Sequence, residues 1–337
     1  MLEITFPSMN PCTLAEAGTA ASRCPRIMTS GRLFLPLDAG RGAPRPAVVV
    51  LEGLGGIIPE RELRYAAMLA RDGYVTLAVD TFGPRGAVSL SHPMRALRVT
   101  EASMLADAYG ALRYLAGLPI VDRDRIAVMG FSYGAMVSVF AAYRQVQEIY
   151  APDGLRFAAH AAYYGCTVAR FTDPVTTGAP VRLFVGGLDQ NVCVERTHTI
   201  AGDLRRGGSD VHVHLYPDAY HQWDARDLTP RFTHWSLRRY AFVVEPDNRV
   251  WDTRTRLTMR GPMSRAAMLL ANMDPSGYHM LRDERVLVRS DAALLDFLSD
   301  AIGRSAARVA HPIPSVQPTG GDAGAGSGIL QTAASWK

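Results

Sequence analysis

Between about residues 31 and 221, apolar and polar positions follow two rhythms in turn. Residues 47–51, AVVVL, form an unbroken apolar run, the pattern of a strand buried on both faces. Residues 61–71 show helical spacing that ends before Gly73, a residue suited to a helix stop. A strand is expected at 74–79, a long helix at 94–116, a strand at 125–129 and a buried helix of small residues at 135–143. Further strands follow at 157–164, 181–185 and 211–216, with a helix at 194–206 before the last. Strand and helix in regular turn predict an α/β fold, a mostly parallel sheet covered by helices on both faces. Such sheets bind their ligands at the carboxyl ends of the strands.

Beyond His221 the rhythm breaks. Residues 225–288 contain WSLRRYAFVV, a turn at EPDN and a short helical patch at 264–272. They are expected to form an insertion before a last helix at 291–302, serving either as edge packing or as a cap over the ligand end. As a cap they would bring Phe232, Trp235 and Tyr240 over the site, with Trp223 at its edge. From 311 onward, Pro, Gly, Ser and Ala without periodicity predict a disordered tail. The expected organisation is one domain over 1–310 and a tail over 311–337.

Composition narrows the function classes. With 337 residues and 48% hydrophobic residues, the chain can bury one large core or two small ones. A net charge of +4 with no basic block argues against nucleic acid as a partner. No apolar run reaches the length of a membrane span, so no membrane is expected. The start, MLEITFPSMNPCTL, lacks a basic segment followed by an apolar core, so no secretory signal is expected. Four cysteines at no metal-like spacing fit reduced thiols and a cytoplasmic protein. Cys166 and Cys193 follow neighbouring expected strands, and free thiols remain the default for both. The oligomeric state is not legible.

The chemistry centres on GFSYG, residues 130–134, where the strand at 125–129 becomes a helix. A serine on so sharp a turn is held in a strained conformation, and side chains two residues either side would collide with it. Alone the pattern is weak, since the chain has 30 glycines. A serine hydroxyl also needs a base to take its proton and an acid to orient that base. Asp189 stands in GGLDQN just past the 181–185 strand, and His221 in PDAYHQWD just past the 211–216 strand. Ser132, Asp189 and His221 therefore occupy three carboxyl-end loops in the order serine, acid, histidine. Backbone donors for an oxyanion would come from Tyr133, after the nucleophile, and from Gly53 or Leu54 in EGLGG. One such donor is worth about 3 kcal/mol in a transition state. No lysine follows EGLGG as a phosphate loop requires.

Rival groups carry less. His212 and His214 share a strand face without a carboxylate at ligand spacing, so no metal is expected. Asp218 and Asp224 read as turn formers or surface charges, and Asp80 as a turn at a strand end.

Together LEGLGG, VDTFGPRG, GFSYG, GGLDQ and YPDAYHQWD resemble the dienelactone hydrolase family of α/β-hydrolases, over roughly residues 30–223 and the last helix. The resemblance implies an α/β-hydrolase fold, a triad of Ser132, Asp189 and His221, and a cofactor-free hydrolase acting on a small-molecule ester or lactone through an acyl-enzyme. Amide cleavage on the same triad, or a silent hydrolase fold used for binding, are the alternatives. Serine stands where the members that act on dienelactone carry cysteine. Glu52 matches a family glutamate that contacts the nucleophile; the other reading is a carboxylate paired with a nearby cation. Arg85 resembles a family arginine that contacts a substrate carboxylate.

Overall fold

The structure, a computed structural model, describes residues 1–40, 42–165, 168–226 and 229–304. The expected tail at 311–337 and Cys166 lie outside the described residues. In chain order the body comprises β1 (Leu2–Met9), α1 (Leu14–Ala20), β2 (Arg26–Phe34), β3 (Arg45–Leu51), α2 (Arg64–Arg71), β4 (Val75–Asp80), α3 (His92–Arg98), α4 (Glu101–Ala116), β5 (Val121–Phe131), α5 (Tyr133–Phe140), α6 (Arg144–Tyr150), β6 (Ala159–Tyr163), β7 (Ala169–Phe171), β8 (Val181–Gly186), α7 (Val194–Arg206) and β9 (Val211–Tyr216). The inserted segment carries β10 (Arg231–Thr233), β11 (Phe242–Val244), β12 (Val250–Asp252), β13 (Thr258–Met259), α8 (Pro262–Asn272) and β14 (Tyr278–Met280), and α9 (Glu284–Ile302) closes the described chain.

Eight strands form the main sheet in the order β1-β2-β4-β3-β5-β6-β8-β9. The pairs from β4 to β9 are parallel, and β1 and β2 add antiparallel strands at one edge. Every residue of β3 is buried, and its side chains alternate between two cores as strand geometry requires. Ala47, Val49 and Leu51 join α4 and α5 on one face, whereas Val48 and Val50 join α2 and α9 on the other. That explains the unbroken AVVVL: neither face meets water.

The structure differs from the sequence expectations in four places. β1 and β2 were not expected. The helix at 94–116 is two helices, because Val99 is extended and Thr100 caps α4, its Oγ1 accepting the Ser103 amide at 3.1 Å. Residues 59–63 form a π turn ahead of α2. Finally, α9 starts at Glu284, inside the expected insertion, because Asp283 caps it by accepting the amides of Arg285 and Val286.

Candidate active site

β5 ends at Phe131, and Ser132 makes the turn into α5 with φ +51° and ψ −105°. This left-handed conformation costs about 1–3 kcal/mol and persists only where the surroundings enforce it. Enforcement comes from packing. A Cβ on Gly130 would lie 2.3 Å from the Gly134 carbonyl, and one on Gly134 would lie 2.6 Å from the carbonyl oxygens of Leu51 and Glu52. Ser132 also donates its amide to the Tyr163 carbonyl at 3.0 Å, which ties the elbow to β6.

The two other loops converge on this elbow. Ser132 Oγ lies 3.2 Å from His221 Nε2, and His221 Nδ1 lies 2.7 Å from Asp189 Oδ2. Asp189 Oδ1 accepts the amides of Asn191 and Val192 at 2.8 and 3.2 Å, which fixes the carboxylate's orientation. All three side chains are buried. Two further non-glycine residues with positive φ, Tyr164 and Gln222, flank the histidine. The Tyr164 ring meets His221 edge-on at 4.9 Å, and Gln222 follows it in sequence.

Tyr133 begins α5, where its amide belongs to the unsatisfied first turn. The facing loop is held from outside. Arg95 Nη1 donates to the Leu54 carbonyl at 2.7 Å, with its other nitrogens on the Leu90 and Val88 carbonyls. Glu62 accepts the Ile58 amide at 2.9 Å and the Gly53 amide at a longer 3.4 Å, and is paired with Arg61 at 2.7 Å. Gly53 thus already has an acceptor for its amide. A Cβ placed on Gly53 would lie 3.6 Å from Ser132 Cβ and 3.4 Å from Arg61 Nη2, so the loop, the nucleophile and a buried cation adjoin. Sequence reasoning missed Arg61, Glu62 and Arg95, which fall there within the helices expected at 61–71 and 94–116.

Three other candidates are held by contacts within the body. Arg85 is turned inward: its guanidinium forms a bidentate pair with buried Asp107 at 2.7 and 3.0 Å and also bonds Asn10 and the Thr81 carbonyl. Those contacts, not a substrate carboxylate, occupy its donors. Trp223 is fully buried on the α9 side, donating Nε1–H to Ser290 Oγ at 3.1 Å and packing against Tyr164 and Tyr216. It is core, not pocket edge. Glu52 is also fully buried, and its Oε1 accepts the amides of Thr81 and Phe82 at 2.8 and 3.2 Å. Burial, reinforced by nearby Asp80 and Glu62, pushes its pKa well above the usual carboxylate range. Its two amide bonds tie the end of β3 to the end of β4, and among the described residues no cation is bonded to it. Asp224, expected as a turn former or surface charge, is buried instead and accepts the Tyr164 hydroxyl at 2.7 Å. Asp80 does cap a turn, accepting the Gly83 amide at 2.7 Å.

The inserted segment lies at the triad end of the sheet. Met280 bridges to His221 in parallel, and the Tyr278 ring meets His221 edge-on at 5.0 Å. Asn191, whose Nδ2 lies 3.5 Å from His221 Nε2, accepts the Leu237 amide at 2.9 Å. From α8, Arg265 reaches the body and donates to Glu101 at 2.7 Å and to the Tyr133 hydroxyl at 3.2 Å. Of the aromatic side chains expected here, Tyr240 lines an apolar cavity against the body and Trp235 packs partly buried on the core. Phe232 is 44% exposed, beside His279.

His212 and His214 do share a face, their ring centroids 4.4 Å apart, and His214 stacks on Phe184. Among the described residues, no group of three or more His, Cys, Asp or Glu could hold a metal ion. Among the same residues, no helix is long and apolar enough to cross a membrane.

A mostly parallel sheet with a serine elbow after β5, and an aspartate and a histidine after β8 and β9, defines an α/β-hydrolase. The chain belongs to the dienelactone hydrolase family, whose profile matches residues 30–241. It is 25% identical over 230 residues to the "Putative carboxymethylenebutenolidase" of Methylorubrum extorquens, covering 61% of this chain and 75% of that protein. A protein of the same description from Yersinia pestis is 25% identical over 208 residues, 56% of this chain and 72% of the relative. Among solved structures, a dienelactone hydrolase-like promiscuous phosphotriesterase from metagenomic libraries shares the fold with a TM-score of 0.55 at 18% identity, covering 90% of this chain and all of that one. Membership of this family makes the chain a hydrolase acting on ester bonds.

Proposed function

We propose that the chain cleaves a small-molecule carboxylic ester or lactone through an acyl-enzyme on Ser132. The observation that carries this reading is the unbroken contact from Ser132 Oγ through the His221 ring to Asp189. In the first half-reaction His221 Nε2 takes the hydroxyl proton as Oγ bonds to the carbonyl carbon. The carbonyl electron pair moves onto oxygen, to be held by the amides of Tyr133 and Leu54, since the Gly53 amide is already bonded to Glu62. When the pair returns, the C–O bond to the alcohol breaks and His221 delivers its proton to the leaving oxygen. Water then repeats the sequence on the acyl-serine: His221 takes its proton, hydroxide bonds to carbon, and Ser132 leaves and is reprotonated. Asp189 holds Nδ1–H throughout, so that Nε2 is the basic nitrogen.

The inserted segment, in this reading, is a cap. Tyr278 against His221 and Leu237 on Asn191 support it, because both exclude water from the base. The test is a fluorophosphonate probe followed by peptide mapping. Stoichiometric labelling at Ser132, lost in Ser132→Ala, is expected. A well-folded protein that resists the probe and hydrolyses neither esters nor lactones would refute the proposal.

A further inference from the structure

Between the body and the inserted segment lies an apolar cavity that shares two residues, Leu54 and Tyr133, with the oxyanion position. Its body side includes Met136 and Phe140 of α5, and its other side includes Leu237, Phe242 and Leu269. About 50 Å³ is open there to the centre of a water molecule, several times the 10–15 Å³ or so that one water requires. A space lined so largely by apolar side chains offers water few hydrogen bonds and forfeits packing contacts. A hydrocarbon chain entering it would restore those contacts.

The charges at its wall are matched internally. Arg265 and Glu101 both line the cavity and are paired at 2.7 Å, with the Tyr133 hydroxyl bridging them. A substrate carboxylate arriving there would meet Glu101 as well as Arg265, so the pair offers it little net attraction. Arg85, the other arginine considered for carboxylate recognition, is neutralised by Asp107.

We propose that this cavity is the acyl-chain subsite, and that the substrates are esters of apolar acyl chains longer than acetyl and without a terminal carboxylate. The inference rests on the serine-hydrolase reading above and adds the substrate class. The rival occupant is a carboxylate-bearing chain, since Arg265 Nε has no hydrogen-bond partner among the described residues and would donate to a carboxylate.

The experiment measures kcat/KM for p-nitrophenyl acetate, butyrate, hexanoate and hemisuccinate, with fluorophosphonate labelling of Ser132 run in parallel. Each buried methylene contributes about fourfold in binding, so butyrate should exceed acetate by about tenfold or more and should also exceed hemisuccinate. Leu269→Trp, which fills the cavity, should pull the butyrate-to-acetate ratio towards one. Leu237→Ala, which enlarges it, should move the optimum to longer chains, and carries the test if the tryptophan variant fails to fold. A labelled Ser132 with a flat or falling chain-length profile, or a ratio unmoved by both variants, would overturn the inference. Preference for hemisuccinate would overturn it in favour of carboxylate recognition. An unlabelled Ser132 with no ester cleaved would instead mean that the hydrolase reading itself had failed.

Discussion

Alanine at Gly134 should separate the geometry of the elbow from its composition. The added methyl carbon would lie 2.6 Å from two backbone carbonyl oxygens at the end of β3. That is about 0.8 Å short of ordinary contact, which begins near 3.4 Å. β3 is paired on both sides and wholly buried, so it has little freedom to retreat. The strain should therefore fall on α5, which carries Ser132 and the Tyr133 amide at its start. A displacement approaching 1 Å at a reacting centre costs on the order of 10²-fold, and loss of one oxyanion donor costs about 10²–10³-fold. We expect kcat to fall by about 10²–10³-fold in an ester assay. Overpacking should remove about 1–3 kcal/mol of stability, a drop of several degrees in Tm by calorimetry. Gly202→Ala is the control. It sits in α7, where the new methyl would meet only the tip of Arg206 at 3.7 Å, so helix propensity should raise Tm slightly. A Gly134→Ala enzyme with kcat within threefold of the parent and an unchanged Tm would refute the argument that close backbone approach shapes this site.

Ser132→Ala and His221→Ala should each lower turnover by about 10⁴–10⁶, and the double variant should be scarcely worse than either, because the two act as a unit; multiplying losses in single-turnover kinetics would count against the mechanism. Arg85→Ala should leave Asp107 buried without its cation and cost about 3–5 kcal/mol in urea unfolding, while the ratio of neutral to carboxylate-bearing substrates stays the same; a selective loss of carboxylate substrates would restore Arg85 to the site. His160 is fully buried in β6, and desolvation lowers its pKa to about 4 from 6.5, opposed by its bond to the Ser138 carbonyl. Because the unfolded chain then binds the extra proton between about pH 6.5 and 4, this contribution is complete above pH 6.5. It is lost as the pH falls through that window, about 3 kcal/mol in all. Urea midpoints measured from pH 7 to 4 should fall less steeply in His160→Leu than in the parent, and parallel slopes would refute the assignment.

Features that depend on backbone chemistry over short distances are legible in the residues alone. GFSYG announces a turn that only glycine neighbours allow, and AVVVL announces a strand with no wet face. Because each parallel strand ends at the same edge of the sheet, the order of Ser132, Asp189 and His221 along the chain already implied that their loops would meet. The destinations of long polar side chains were not legible in the same way. Arg85, Arg95 and Arg265 look alike in sequence. One pairs with Asp107, another holds the Leu54 carbonyl, and the third crosses to Glu101, 164 residues away. Trp223 follows the histidine as if at the pocket edge and Asp224 as if at the surface, yet α9 and Tyr164 draw them into the core. The site of the inserted segment was equally undecided: its short strands pair with one another, and only the contacts of β11 with β7 and of Met280 with His221 fix it to the body. An element's period is written in its own residues. The partner that neutralises a buried charge, or covers an apolar face, is chosen by which distant residues the fold brings within a few ångströms.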